Sequence, residues 1–301
     1  MFRLLLLFFA LALIAPAQLV TVVRSALSAK DFAGGERVLQ AYRNAKGVTP
    51  EYVEAYSWLG RAAQANKLWD KAGAYAAETR RLVATELKKR PLDAEPSLPT
   101  ALGAAIEVEG HTLAGTGRLS EALAMMNQEL KTYYGSSIRT RIQKNIHLLS
   151  LVGKPAPALD LQRFLSGPKM QSLQKMTGKP VLLFFWAHWC ADCKVVGPVL
   201  TALKKQHPSL QIVALTQTYG YVAGGEEVGP AVEVPYMEKV RAQSYPDLLQ
   251  VPAPLSGENF KRYGSSTSPT LVLVDKAGIV RMYHPGRMTA EELAPFVQKV
   301  L

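Results

Sequence analysis

The chain has 301 residues, 48% of them hydrophobic and 20% charged, an ordinary globular composition with length enough for two domains. Its formal net charge of +11 is shared almost evenly, +6 over residues 1–150 and +5 over 151–301, so no basic arm is concentrated anywhere. That distribution excludes a nucleic-acid-binding surface as the organising feature, and Lys88-Lys89-Arg90 reads as a solvated helix end.

The N-terminus begins Met1-Phe2-Arg3 and continues with an apolar run from Leu4 to Ile14, then Ala15-Pro16-Ala17. A basic start, an apolar middle and an A-x-A site predict a signal peptide over residues 1–17. The uncharged stretch extends to Val23, between Arg3 and Arg24, so an uncleaved membrane anchor is the alternative. Pro16 and Gln18 in the middle of that stretch favour cleavage.

Residues 25–150 predict an all-α domain. From Pro50 to Leu87, apolar and small residues (Tyr56, Leu59, Gly60, Ala63, Trp69, Ala72, Ala76 and Leu82) recur at helical spacing around a polar break at Asn66-Lys67, the pattern of a helical hairpin. Similar second helices are predicted after Lys30-Asp31 and after Gly117-Arg118. Leu59, Gly60, Ala63, Ala72 and Ala76 resemble a degenerate tetratricopeptide unit. Aligned on Ala33, Ala72 and Ala122, however, the spacing is 39 and then 50 residues, irregular beside the roughly 34 of that repeat. The resemblance implies a concave surface for a partner protein; the alternative is a plain helical bundle supporting the second domain. Trp58 and Trp69 read as core rather than as a ligand platform.

Leu151-Val152-Gly153-Lys154-Pro155 marks the boundary to a second domain over residues 151–301. Within it, Val181-Leu182-Leu183-Phe184-Phe185-Trp186 predicts a buried strand, followed by Cys190-Ala191-Asp192-Cys193, which holds both cysteines of the chain. A strand turning directly into a helix leaves Cys190 at the helix N-terminus, where unpaired N–H groups and the macrodipole favour a thiolate. That makes Cys190 the nucleophile. Cys193 lies one turn on, at a separation compatible with a disulfide, and is the resolving thiol. A zinc site would need a second cysteine pair, and the chain has none.

These segments, with Val152-Gly153-Lys154-Pro155-Ala156-Pro157 and Tyr263-Gly264-Ser265-Ser266-Thr267-Ser268-Pro269-Thr270, resemble the TlpA-type thioredoxin-like oxidoreductases of the bacterial periplasm over about half the chain. The resemblance implies an α/β thioredoxin fold with a central mixed sheet. It also implies a cis Pro269 standing against the cysteines, with Ser268 and Pro269 aligning an extended substrate and Trp189 shaping its approach. No cofactor and no metal are implied. The expected partners are protein thiol or disulfide substrates and, for a reductase in an oxidising compartment, a membrane-linked electron donor.

The pattern departs from the family at three places. Asp192 stands where the family usually has proline, and its charge opposes a Cys190 thiolate while suiting the helix dipole. Phe184 stands where thioredoxin carries a buried acid, which leaves proton transfer to water, His188 or a group elsewhere; His188 otherwise reads as an exposed loop residue. An insertion from Thr218 to Tyr263, rich in glycine and proline with a short helix near Tyr236–Gln243, forms either a rim around the site or a surface loop. With no histidine or lysine between the cysteines, the predicted reduction potential lies near about −270 mV rather than about −120 mV. The competing reading is a helical interaction protein whose second domain is weakly active or carries Cu(I) on the two thiols and His284.

Overall fold

The structure is a computed structural model that describes residues 16–176 and 178–301. The predicted signal segment therefore lies outside the described residues except for its last two positions. Among the described residues no helix is long and apolar enough to cross a membrane. The chain divides into two compact units, one ending at Ala122 and one beginning at Leu123.

The first unit contains α1 (Pro16–Ser28), α2 (Phe32–Lys46), α3 (Pro50–Ala65), α4 (Trp69–Leu87) and α5 (Ser97–Gly115), and the divide falls inside α6 (Leu119–Thr132). Local sequence sets these limits. Asp31 and Thr49 cap α2 and α3 by accepting the Gly34 and Tyr52 amides, and Pro50 takes the first helical position, where a missing N–H costs nothing. The predicted break at Asn66-Lys67 is the turn between α3 and α4. Gly60 allows close packing, since a Cβ there would already touch Tyr75 of α4 and Val108 of α5. Ala63, Ala72, Ala76 and Val108 close a buried cluster behind it. Trp69 lies directly on Gly115 but is only half-buried. Trp58 is different: its ring has Arg24 and Arg61 over it at 4.3 and 4.0 Å, beside a cavity of about 410 Å³.

In the second unit α7 (Arg139–Ser150) precedes β1 (Val181–Phe185), α8 (Ala191–Gln206), β2 (Gln211–Leu215), α9 (Pro230–Ser244), α10 (Gly257–Tyr263), β3 (Thr270–Val274), β4 (Val280–Pro285) and α11 (Ala290–Gln298). The sheet order is β2-β1-β3-β4, with β1 parallel to β2 and antiparallel to β3, as expected of a mixed thioredoxin-type sheet. Alternation along β1 feeds two cores: Leu182 and Phe184 face Val196, Leu200 and Leu293, while Leu183 and Phe185 face Phe260 and Tyr263. Residues 252–256 run along the outer edge of β2, exchanging backbone hydrogen bonds through Ala214, Thr216 and Ser256 and thereby covering an exposed edge. The buried Arg241 guanidinium secures that return by donating to the carbonyls of Ser166, Leu248, Leu249 and Val251. Gly264, at φ +60°, ends α10 where a side chain would collide with the Lys144 backbone of α7.

Candidate active site

The register places the site. Phe185 at the end of β1 is paired with Thr270 at the start of β3, so Trp186–Cys190 and Ser268–Pro269 leave the sheet at the same end. Trp186 stays buried and donates its amide to Leu215 of β2. The chain then turns sharply, with the Cys190 amide donating to the Ala187 carbonyl at 3.1 Å, so that His188 and Trp189 occupy the tip of the turn. Cys190 is the residue that caps α8, its sulfur accepting the Cys193 amide at 3.0 Å.

Cys190 and Cys193 form a disulfide, with Cα atoms 5.2 Å apart. Cys193 is fully enclosed and Cys190 is 3% exposed. Trp189 beside it is 49% exposed. The Ser268–Pro269 peptide bond is cis, as the resemblance implied, and the Pro269 carbonyl accepts the Gly286 amide at 2.8 Å. One residue on, Arg287 stands 3.4 Å from the Asp192 carboxylate; both side chains are exposed, which keeps their attraction weak.

Below the cysteines the packing is aromatic. Phe184 and Trp186 each meet the buried ring of Tyr245 edge to face, at 5.9 and 5.4 Å. No acid occupies the Phe184 position, and burial pushes the Tyr245 hydroxyl up, so that phenol stays neutral. Gly197 of α8 lets Tyr245 approach: a Cβ there would lie 2.5 Å from the ring.

The insertion packs over the turn before α8, and it corrects one expectation. His188 is not an exposed loop residue; it is 2% exposed. Tyr219, Tyr221 and Tyr236 each meet its ring edge to face, at 5.4 to 5.5 Å. Its Nε2 stands 3.3 Å from Oε1 of Glu233, within ion-pair range but not aligned for a hydrogen bond. Burial holds the imidazole below its ordinary value of 6.5, with the Glu233 carboxylate pulling the other way. Glu233 is fully buried and accepts the amides of Tyr219 and Gly220, which orders the loop after β2. Tyr219 in turn packs edge-on against Trp189 at 5.6 Å, and its hydroxyl donates to the Trp186 carbonyl at 3.5 Å. The insertion is thus a rim built on α9, longer than the predicted Tyr236–Gln243 helix. Sequence reasoning missed Glu233, Tyr219 and Arg287; the tyrosines clustered among the glycines of the insertion were the available signal. Among the described residues no cluster of three or more His, Cys, Asp or Glu is placed to hold a metal ion.

Residues 168–301 match the thioredoxin-like domain family. The chain is 32% identical over 145 residues to the thiol:disulfide interchange protein DsbE of Xylella fastidiosa, covering 47% of this chain and 65% of that one. It is 31% identical over 142 residues to the thioredoxin-like protein YneN of Bacillus subtilis, covering 47% and 75%. It is 30% identical over 151 residues to the thiol-disulfide oxidoreductase ResA of Bacillus thuringiensis, covering 50% and 78%. The matched stretch therefore spans just under two thirds of the Xylella protein and about three quarters of the two Bacillus proteins.

Proposed function

The chain belongs to the TlpA-like family of thioredoxin-fold thiol-disulfide oxidoreductases, and from that premise we propose that it exchanges disulfides with protein clients through Cys190 and Cys193. The observation that carries the reading is a disulfide at the N-terminus of α8, on the same sheet end as a cis-proline loop. In the reduced protein the Cys190 thiolate attacks one sulfur of a client disulfide. A Cys190–client disulfide forms and the other client sulfur leaves as a thiolate. Cys193 then loses its proton and attacks the Cys190 sulfur, which closes the intramolecular disulfide and expels the second client thiolate. Two electrons pass to the client together with the Cys193 proton, and the second proton that completes two client thiols is taken up from the surroundings.

The residues around the pair support assigned roles. Trp189, exposed and braced by Tyr219, shapes the approach, and Ser268 with Pro269 aligns the client backbone. A reduction potential near about −270 mV favours reduction of clients, which requires a donor on or in the membrane to restore the dithiol. The leader-like Met1–Ala17 segment supports export to the periplasm, and the helical unit, with Arg24, Trp58 and Arg61 around its cavity, supports docking of a partner protein. The purified protein is expected to reduce insulin with dithiothreitol as electron donor, and Cys190→Ser to abolish turnover. Wild-type protein that leaves insulin oxidised would defeat the reading.

A further inference from the structure

The unassigned feature closest to the cysteines is the enclosed pair of His188 and Glu233. One residue, Trp189, separates His188 from Cys190 along a tight turn, so their Cα atoms lie within about 7 Å. A buried carboxylate facing a buried imidazole at 3.3 Å, ringed by three tyrosines, is an expensive arrangement to keep in a fold that needs only packing there. Phe184 meanwhile leaves the floor under the cysteines without an acid. The charged and titratable groups around the imidazole are Tyr219 and Tyr221 from the loop after β2, Glu233 and Tyr236 from α9, and Lys194 from α8. Glu233 is the only carboxyl group among them.

We propose that His188, held by Glu233, is the positioning residue that carries the proton coupled to the cysteine pair, in place of the acid that Phe184 displaces. This inference rests on the exchange reaction above. In the reduced protein an imidazolium at His188 lies 3.3 Å from the Glu233 carboxylate and two positions along the chain from the Cys190 thiolate, and each anion favours the charged ring. When Cys190 and Cys193 close their disulfide, the thiolate charge disappears. The ring then has one anion in place of two and gives up its proton. The balance is complete: a thiolate, a thiol and an imidazolium together with a client disulfide yield the protein disulfide, a neutral imidazole and two client thiols. Glu233 keeps its two backbone amides throughout.

Reciprocity makes this measurable on the unaltered protein. If the ring favours the Cys190 thiolate, the thiolate must favour protonation of the ring equally. The imidazole of His188 is followed by NMR of ¹⁵N-histidine-labelled protein across a pH series, once oxidised and once kept reduced with dithiothreitol. The titration midpoint is expected to lie more than 0.3 pH units higher in the reduced protein, on the order of a twofold or greater linkage. A difference of 0.3 or less overturns the proposal. The second measurement is the pH profile of Cys190 alkylation in the reduced protein. Wild type is expected to show two inflections, His188→Gln one, and Glu233→Gln the lower inflection moved to more acid pH. Coincident profiles in all three overturn the proposal, and should Glu233→Gln fail to fold, the NMR comparison decides alone. Protein that cannot reduce insulin refutes the parent reaction; protein that reduces insulin without a redox-linked shift at His188 refutes only this inference.

Discussion

Replacing Gly197 with alanine sets two known effects against each other inside α8. Alanine in place of a mid-helix glycine adds about 0.5–1 kcal/mol of helix stability. The new Cβ, however, would fall 2.5 Å from Cδ1 and 2.8 Å from Cε1 of Tyr245, where an ordinary contact needs about 3.5–4 Å. Tyr245 cannot simply swing aside, because it is 3% exposed and wedged against Phe184 and Trp186. Overpacking of that kind costs about 1–3 kcal/mol. The net expectation is destabilisation by about 1 kcal/mol, or a fall of about 2–4 °C in the melting temperature of a unit this size. The control is Gly73→Ala in α4, where the new Cβ meets only Thr112 Cγ2 at 3.8 Å. That change should stabilise by about 0.5–1 kcal/mol. Thermal unfolding followed by circular dichroism, with urea midpoints as a check, reads both signs. A Gly197→Ala protein as stable as wild type would refute the claim that Tyr245 is a rigid prop beneath the cysteines.

Three further outcomes are expected. Arg241→Lys offers three donors on one nitrogen to four backbone carbonyls, leaving at least one buried acceptor unpaired; stability should fall by about 2–4 kcal/mol, measured by urea denaturation. The buried rings of His147 and His188 are both held below 6.5, mainly by desolvation, so near and below that pH the unfolded chain binds more protons than the oxidised folded protein. Its melting temperature should therefore be level above about pH 7 and decline as pH drops through 6.5, and a flat or rising profile between pH 7 and 5.5 would contradict this burial argument. Asp192→Asn removes a negative charge two residues from Cys190 and should speed alkylation of the reduced protein about two- to threefold at pH 7, an effect lost in about 1 M salt.

What could be seen in the chain beforehand was whatever is decided locally. The β1 strand, the cysteine pair at a helix start and the proline before β3 lie in contiguous segments whose alternation and turn chemistry are self-contained. The helical hairpin of residues 50–87 was readable for the same reason, through the apolar and small residues at helical spacing that let α3, α4 and α5 approach. The rim was not. Glu233 reaches His188 across 45 positions, and Arg287 reaches Asp192 across 95, by way of β2 and β4 respectively. No spacing rule links such positions before the sheet order is known. Prolines also obscured α9: Pro230 opens it at a position where no donor is needed, and Pro235 sits inside it, so only its later part looked helical. Arg241 was hidden for a related reason, since a lone arginine on a short helix reads as solvated until the carbonyls it gathers are folded around it.

The central claim is that the outer sulfur attacks and the inner one waits. Reduced protein at pH 7, treated with a limiting amount of iodoacetamide and digested for mass spectrometry, should carry the label almost wholly on Cys190, at a rate above that of free cysteine. Label shared equally with Cys193, or a Cys190 no faster than free cysteine, would contradict it.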